Sequence, residues 1–317
     1  MSQEYMFFAG NAHPELATAI SNELGVPIGN MTLSKFQCGE NYASINETVR
    51  GRDAYILQSV GPNVNDDLME LFLIMDTLKR CSANTVNVIM PYFAYSRQDK
   101  KSAPREPISA RLIADLLEAV GLNRLITMDL HADQIQGFFS HPVDHLTAMP
   151  LFIDYFAKKQ LPNLVVVAPD TGRAKFAKKL GDKLGADLAI MHKTRPQHNH
   201  AEITNIVGDV KGKTVLLVDD MIDTGGSITS GLQVLKQHGA NEDMYIATTH
   251  PIFSGPAVDR LKTSGVKEVV VTDTVNIPTD KKFEGLTILS TGKMFAETIK
   301  RNVEHRSISS LFDESTE

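Results

Sequence analysis

The strongest chemical signal in this chain is the run Val218-Asp219-Asp220-Met221-Ile222-Asp223-Thr224-Gly225-Gly226-Ser227. An apolar strand ends in two carboxylates, a third follows, and a loop of Thr, two Gly and Ser opens a helix. Glycine permits positive φ and close backbone approach. The loop's N–H groups, together with a helix N-terminus, can cradle a phosphate. The carboxylates suit sugar hydroxyls or a Mg²⁺-bound substrate. The plain alternative is a turn with a capped helix, since Asp, Thr, Gly and Ser are common turn residues. It gives no structural reason for three Asp within five residues.

Three further groups could do chemistry. Arg97, Lys100, Lys101 and Arg105 form a basic cluster in a chain of net charge −6. A solvated charged loop would look the same, but polyphosphate needs such cations, and Arg suits it through its bidentate fork. His131 sits between Asp129 and Asp133, just after an expected strand, where α/β sheets place their sites. Lys193 and Arg195 are two apart, so in an extended segment they project to the same side. The stretch after them, Pro196-Gln197-His198-Asn199-His200, is polar and reads as a loop.

Alternating strands and helices must position these groups. Met6–Ala9, Val86–Met90, Leu125–Met128, Leu164–Ala168, Thr214–Val218, Tyr245–Thr248 and Val269–Thr272 read as strands. Continuous apolar runs of this length mark parallel strands covered by helices on both faces. Pro14–Leu24 reads as a helix with Leu16, Ile20 and Leu24 on one face and Gly25 as its C-cap. Asn65 caps a helix over Asp66–Arg80, with Leu68, Leu71, Phe72, Met75 and Leu78 inward. Pro107 opens another helix, and Gly226–Gln237 is a further one. A chain of 317 residues accommodates two domains. The pattern gives two α/β domains meeting near residue 150, that is 1–150 and 151–317.

Composition narrows the class. The acidic balance argues against a sequence-independent nucleic-acid binder. Cys38 and Cys81 are the only cysteines, too few for a disulfide framework, so a reducing compartment is expected. The N-terminus lacks the positive region of a signal peptide. Apolar runs such as Leu71–Met75 fall far short of the roughly 20 residues that span a bilayer. The expectation is a cytoplasmic protein with neither nucleic acid nor membrane as partner.

The run from Val218 to Ser227 resembles the PRPP-binding loop shared by type I phosphoribosyltransferases, which consume PRPP, and ribose-phosphate pyrophosphokinases, which make it. The loop alone does not choose between them; the N-terminal half does. Pro91-Tyr92-Phe93-Ala94-Tyr95-Ser96-Arg97-Gln98-Asp99-Lys100-Lys101 resembles the ATP-side segment of the pyrophosphokinases, and Asp129-Leu130-His131-Ala132-Asp133-Gln134-Ile135-Gln136-Gly137-Phe138-Phe139 their metal-binding segment. Asn46–Gly51, Leu68–Leu71 and Thr249–Gly255 match as well, so the resemblance runs from about residue 6 to Phe312.

The resemblance implies two tandem type I phosphoribosyltransferase-like α/β domains, each a mainly parallel sheet flanked by helices, with the C-terminal segment packing back on the N-terminal domain. It implies transfer of a diphosphate from ATP to ribose 5-phosphate, with Mg²⁺ as cofactor, in a homo-oligomer, a hexamer built from dimers. Phe36, Glu40, Arg97, Gln98 and Asp99 would bind ATP, and His131 and Asp170 would hold Mg²⁺. Asp219, Asp220, Asp223, Thr224, Gly225, Gly226 and Ser227 would bind ribose 5-phosphate, with Lys193 and Arg195 catalytic on a closing arm. Thr48, Arg50, Arg105, Ser307, Ser309 and Phe312 fall in a regulatory pattern of phosphate activation and ADP inhibition. The chain departs from the family's usual residues at Cys38 in the adenine motif, at Arg173 where the pyrophosphate loop has a second Gly, and at Pro104 and His145. A specialised paralogue acting on a related compound and a non-catalytic regulatory homologue are the alternatives.

Overall fold

The computed structural model describes residues 5–197 and 200–311, and between 193 and 204 the backbone only. Two units emerge, one formed by residues up to Thr147 with Thr274–Asn276 and the chain from Ser290 onward, the other by Ala148–Asp273 and Ile277–Leu289.

In the first unit the strands are Tyr5–Ala9 (β1), Asp53–Leu57 (β4), Thr85–Ile89 (β5), Arg124–Met128 (β6) and Val143–Leu146 (β7), with the pair Met31–Lys35 (β2) and Asn41–Ile45 (β3) between the first two. They form a parallel sheet of order β1-β4-β5-β6-β7, while β2 and β3 make a separate antiparallel hairpin. The core strands are buried on both faces, as continuous apolar runs require: Phe7, Phe8, Ile56, Val88, Ile89, Leu125 and Ile126 are all inaccessible.

The helices of this unit are Pro14–Leu24 (α1), Val64–Arg80 (α2) and Ser109–Val120 (α3). Helix α1 has Pro at its start and ends on Gly25 at φ +68. Helix α2 begins at Val64, one residue before Asn65, so Asn65 is not its cap; its Oδ1 instead accepts the Tyr95 hydroxyl at 2.5 Å. Helix α3 starts at Ser109 rather than Pro107, and the Ser109 hydroxyl is taken up by the Gln98 side chain.

The second unit holds the helix Met149–Lys159 (α4), the strand Leu164–Ala168 (β8), the helix Ala174–Leu184 (α5) and the strands Asp187–Gln197 (β9), His200–Val207 (β10) and Thr214–Ile222 (β11). Gly226–Gln237 (α6), Met244–Pro251 (β12), Ala257–Thr263 (α7), Glu268–Thr272 (β13) and Leu286–Leu289 (β14) complete it. The sheet order is β10-β9-β8-β11-β12-β13-β14, parallel except for β10. Strand β11 outruns its apolar stretch. The ladder to β12 continues through Asp219↔Thr248 to Ile222↔Pro251, so the first two carboxylates lie within the strand and the loop opens only at Asp223. Strand β9 likewise extends through Pro196 and Gln197, which the sequence reads as loop.

The chain ends in the first unit with Gly292–Val303 (α8), which lies against α1. Gly292 has no room for a side chain, since a Cβ there would stand 2.9 Å from that of Ala19. Lys300 Nζ donates to the Glu23 carbonyl at 2.7 Å, and Asn302 Nδ2 to Asp144 Oδ2 at 2.8 Å. Among the described residues, no helix is long and apolar enough to cross a membrane.

Candidate active site

The second sheet reverses its direction of growth at β8. The chain first adds β9 and β10 on one side, then β11 to β14 on the other. In an open parallel sheet, the crevice outside the carboxyl ends of such neighbouring strands is where ligands bind. Two polar loops leave those ends, one after β8 and one after β11.

The loop after β8 turns on Asp170, whose Oδ1 accepts from the backbone N–H of Gly172 at 3.0 Å and of Arg173 at 3.3 Å. The Arg173 side chain reaches toward β11: Nη2 lies 3.1 Å from Asp220 Oδ2, and Nε 3.8 Å from Asp219 Oδ1. Its guanidinium carbon stands 5.8 Å from the centre of the Phe176 ring. Asp220 is buried, and Asp219 is partly exposed.

The loop after β11 becomes a helix at Gly225, whose φ of +74 suits glycine. The first N–H groups of α6 have no intrahelical partner and carry the positive end of the helix dipole. The loop is fixed from behind. Phe253 N–H donates to the Ile222 carbonyl at 3.0 Å, Ser254 N–H to that of Asp223 at 2.9 Å, and Arg260 Nη1 to that of Thr224 at 3.0 Å. Asp219, Asp220, Asp223, Thr224, Gly225, Gly226 and Ser227 therefore share one strand end and its loop, tied to the Asp170 turn through Arg173.

In the first unit, the segments leaving β5 and β6 are neighbours. Met128 N–H donates to the Pro91 carbonyl at 3.1 Å, Gln134 Nε2 to Asp99 Oδ2 at 3.0 Å, and the rings of Phe93 and Phe139 meet edge to face at 5.8 Å. This surface brings together exposed Arg97, Gln98 and His131 with Asp99. Asp129 turns the chain out of β6 with φ +37, and Leu130 N–H donates to His145 Nε2 at 2.8 Å, which pins the turn next to His131.

Phe36 and Glu40 form the tip of the β2–β3 hairpin, closed by Phe36 N–H to the Glu40 carbonyl at 2.8 Å. Phe36 is 55% exposed and meets the Tyr42 ring edge to face, while Cys38 beside it is an exposed free thiol. A cleft of about 310 Å³ lies beside the tip end of the hairpin, lined by Lys35, Asn41, Asp66, Asp67 and Glu70 among others. The Lys35 ammonium holds the Asp66 carboxyl below its usual range, whereas burial pushes Asp67 up.

Lys193 and Arg195 belong to β9, where the Lys193 backbone pairs with Ile203; their side chains lie outside the described residues. Of the regulatory set, Thr48 and Arg50 precede β4, and Arg50 Nη1 donates to Ser82 Oγ at 3.1 Å. Arg105 has a left-handed backbone at φ +69. The Ser307 carbonyl accepts from Arg301 Nη1 at 2.8 Å, and Ser309 N–H donates to Ser307 Oγ at 3.2 Å. Phe312 lies outside the described residues.

Comparison with known proteins decides what this arrangement belongs to. Residues 5–121 match the N-terminal domain of ribose phosphate pyrophosphokinase, and residues 197–313 match the phosphoribosyl synthetase-associated domain. A ribose-phosphate pyrophosphokinase of Fusobacterium nucleatum is 48% identical over 308 residues, covering 96% of this chain and 97% of its own. The chain belongs to the ribose-phosphate pyrophosphokinase family. Another member, from Bacillus subtilis, is 47% identical over 317 residues, covering 98% of this chain and all of its own. The crystal structure of phosphoribosylpyrophosphate synthetase from Mycobacterium smegmatis matches at a TM-score of 0.91 and 46% identity, over 96% of this chain and 100% of that one. Two phosphoribosyltransferase-like α/β domains, mainly parallel, are the fold of this pyrophosphokinase family member.

Several supporting residues had no individual role in the sequence reading. Gln134 and Ser254 lie inside the segments 129–139 and 249–255, and their hydrogen bonds tie those segments to Asp99 and Asp223. Arg260 has no sequence signal at all; it meets Thr224 only because α7 packs beside the loop. Among the described residues, no three His, Cys, Asp or Glu side chains converge as a metal cage. Mg²⁺ is usually held by one or two carboxylates, waters and substrate phosphates. Asp170 is a suitable oxygen donor, while the His131 imidazole is a softer partner for so hard a cation.

Proposed function

We propose that this chain transfers the β,γ-diphosphate of ATP to the C1 hydroxyl of ribose 5-phosphate, giving PRPP and AMP. One observation carries the reading: a dicarboxylate strand end, a left-handed Gly225 and a helix N-terminus meet at the switch point of the second sheet. This is chemistry for a sugar phosphate, with hydroxyls on the carboxylates of Asp219 and Asp220 and the 5-phosphate on the loop from Asp223 to Ser227. The surface of the first unit adds cations for a triphosphate. Arg97, Gln98 and Asp99 contact ATP there, and Phe36 and Glu40 hold its base. Asp170 and His131 are the residues that would hold Mg²⁺, and the ion would supply neutralisation of phosphate charge.

The reaction asks little covalent work of the protein. The C1 oxygen attacks the β-phosphorus in line, the bond from that phosphorus to the α,β-bridging oxygen breaks, the hydroxyl proton is lost, and AMP leaves. Lys193 and Arg195 stabilise the charge that develops on the transferring group. The active species is a homo-oligomer, a hexamer built from dimers, in the cytoplasm. The test is to incubate the protein with MgATP and ribose 5-phosphate and resolve the products. AMP and PRPP in equal amounts are expected; the absence of AMP would overturn the reading. Repeating the assay with other sugar phosphates tests for a specialised acceptor.

A further inference from the structure

We propose that Arg173 is a positioning residue for sugar recognition: its guanidinium holds the Asp219 and Asp220 carboxylates ionised and fixed, so that they accept the vicinal hydroxyls of the sugar phosphate. This rests on the sugar-phosphate reading of the loop after β11.

The argument starts from an electrostatic problem. Two consecutive carboxylates stand at the end of β11, and one of them, Asp220, is 4% exposed. A buried carboxylate without a counter-charge takes up a proton or draws in water. A protonated carboxyl has lost acceptor capacity for a hydroxyl. Arg173 answers that problem from the neighbouring loop, with contacts of 3.1 and 3.8 Å to the two side chains. Its own position is over-determined. The backbone N–H is taken by Asp170 Oδ1 and by the Asp170 carbonyl, the latter also at 3.3 Å, and the Phe176 ring flanks the guanidinium.

The form of the contact matters. Arg173 Nη2 is buried and within ion-pair distance of Asp220, yet it makes no aligned hydrogen bond. The attraction is therefore charge on charge rather than a directional bond. A carboxylate offers about four acceptor positions, so such a contact neutralises it without excluding a hydroxyl donor. A bidentate fork would have occupied the acceptors that recognition uses.

The test compares ribose 5-phosphate with 2-deoxyribose 5-phosphate, by isothermal titration of the full chain with Mg²⁺ and a saturating non-hydrolysable ATP analogue. Wild type is expected to prefer the ribose compound by about tenfold or more, the size of one hydroxyl bond to a charged acceptor. In Arg173→Met that ratio falls toward one, because ribose 5-phosphate loses two hydroxyl contacts and the 2-deoxy sugar only the one at its 3-hydroxyl, and Arg173→Lys, which keeps the charge, restores part of it. Equal weakening of both sugars would overturn the proposal, because Arg173 would then act on the phosphate. A ratio unchanged or increased in Arg173→Met would also overturn it, since Arg173 would be idle or competing with the sugar. If Arg173→Met does not fold, Arg173→Gln, which keeps the hydrogen-bond donors without the charge, is read in the same way. Failure of wild type to bind either sugar would instead remove the sugar-phosphate reading itself.

Discussion

Replacing Gly225 by alanine should lower stability, whereas replacing Gly226 by alanine should leave it nearly unchanged. Gly225 sits at φ +74, where an L-residue pays about 1–2 kcal/mol for the left-handed conformation. Space is not the obstacle, since the nearest atoms to an added Cβ, on Ala257, are 3.5 Å away, an ordinary contact. Gly226 is the first residue of α6 and has no such conformation. A Cβ there would come 3.2 Å from Arg260 Nη1, the far end of a flexible side chain. Displacing it strains one hydrogen bond, to the Thr224 carbonyl, at a cost of about 1 kcal/mol. The gain of alanine over glycine in a helix, up to about 1 kcal/mol, offsets that. Gly225→Ala should therefore lower the melting temperature of its unit by about 2–8 °C, at about 2–4 °C per kcal/mol, and Gly226→Ala by next to nothing. Thermal unfolding followed by circular dichroism reads both, with the KM for ribose 5-phosphate measured in parallel. Both variants put a methyl group on the phosphate cradle, so both should raise that KM. If Gly225→Ala melts with wild type, or if Gly226→Ala loses as much stability, the reasoning about the loop backbone is wrong.

Lys193→Ala should cut kcat by about 10²–10³ with little change in KM, the range for one preorganised charge at a transition state; near-normal turnover would remove Lys193 from the mechanism. Phe36→Ala should raise the KM for ATP about tenfold through the loss of base stacking, while the melting temperature holds because the ring is largely exposed. The Glu268 carboxyl responds to pH in a defined direction. Burial acts to raise its pKa, but hydrogen bonds from Lys159, Thr287 and Tyr155 outweigh it and hold the carboxyl below its usual range. A depressed carboxylate contributes stability above its unfolded pKa and loses it as pH falls through the folded one. Glu268→Gln should thus cost about 1–3 kcal/mol at pH 7, and the gap to wild type should close in acid as the native carboxyl protonates. Denaturant melts at a series of pH values measure this, and a gap that widens in acid would contradict it.

The apolar runs and caps were sufficient to read much of the framework. Pro14–Leu24 with Gly25, Leu164–Ala168 and Gly226–Gln237 are legible because each element carries its own boundary signal or an unbroken core face. The loop from Asp219 to Ser227 is legible because its chemistry is contiguous. What depends on partners distant in sequence is not. Strand β11 runs past its apolar stretch because β12 continues the ladder beside it, a pairing that no local propensity encodes. Asn65 looks like a cap, but α2 starts before it and its side chain serves Tyr95 instead. By itself the sequence determined which residues are able to bind a sugar phosphate or a polyphosphate, because that ability resides in residue type and close spacing. Tertiary structure alone decided that Arg173 faces Asp219 and Asp220, that Arg260 holds Thr224, and that His145 pins the turn before His131. Those contacts join segments from different strands, loops and helices, and only the packing within each unit makes such segments neighbours.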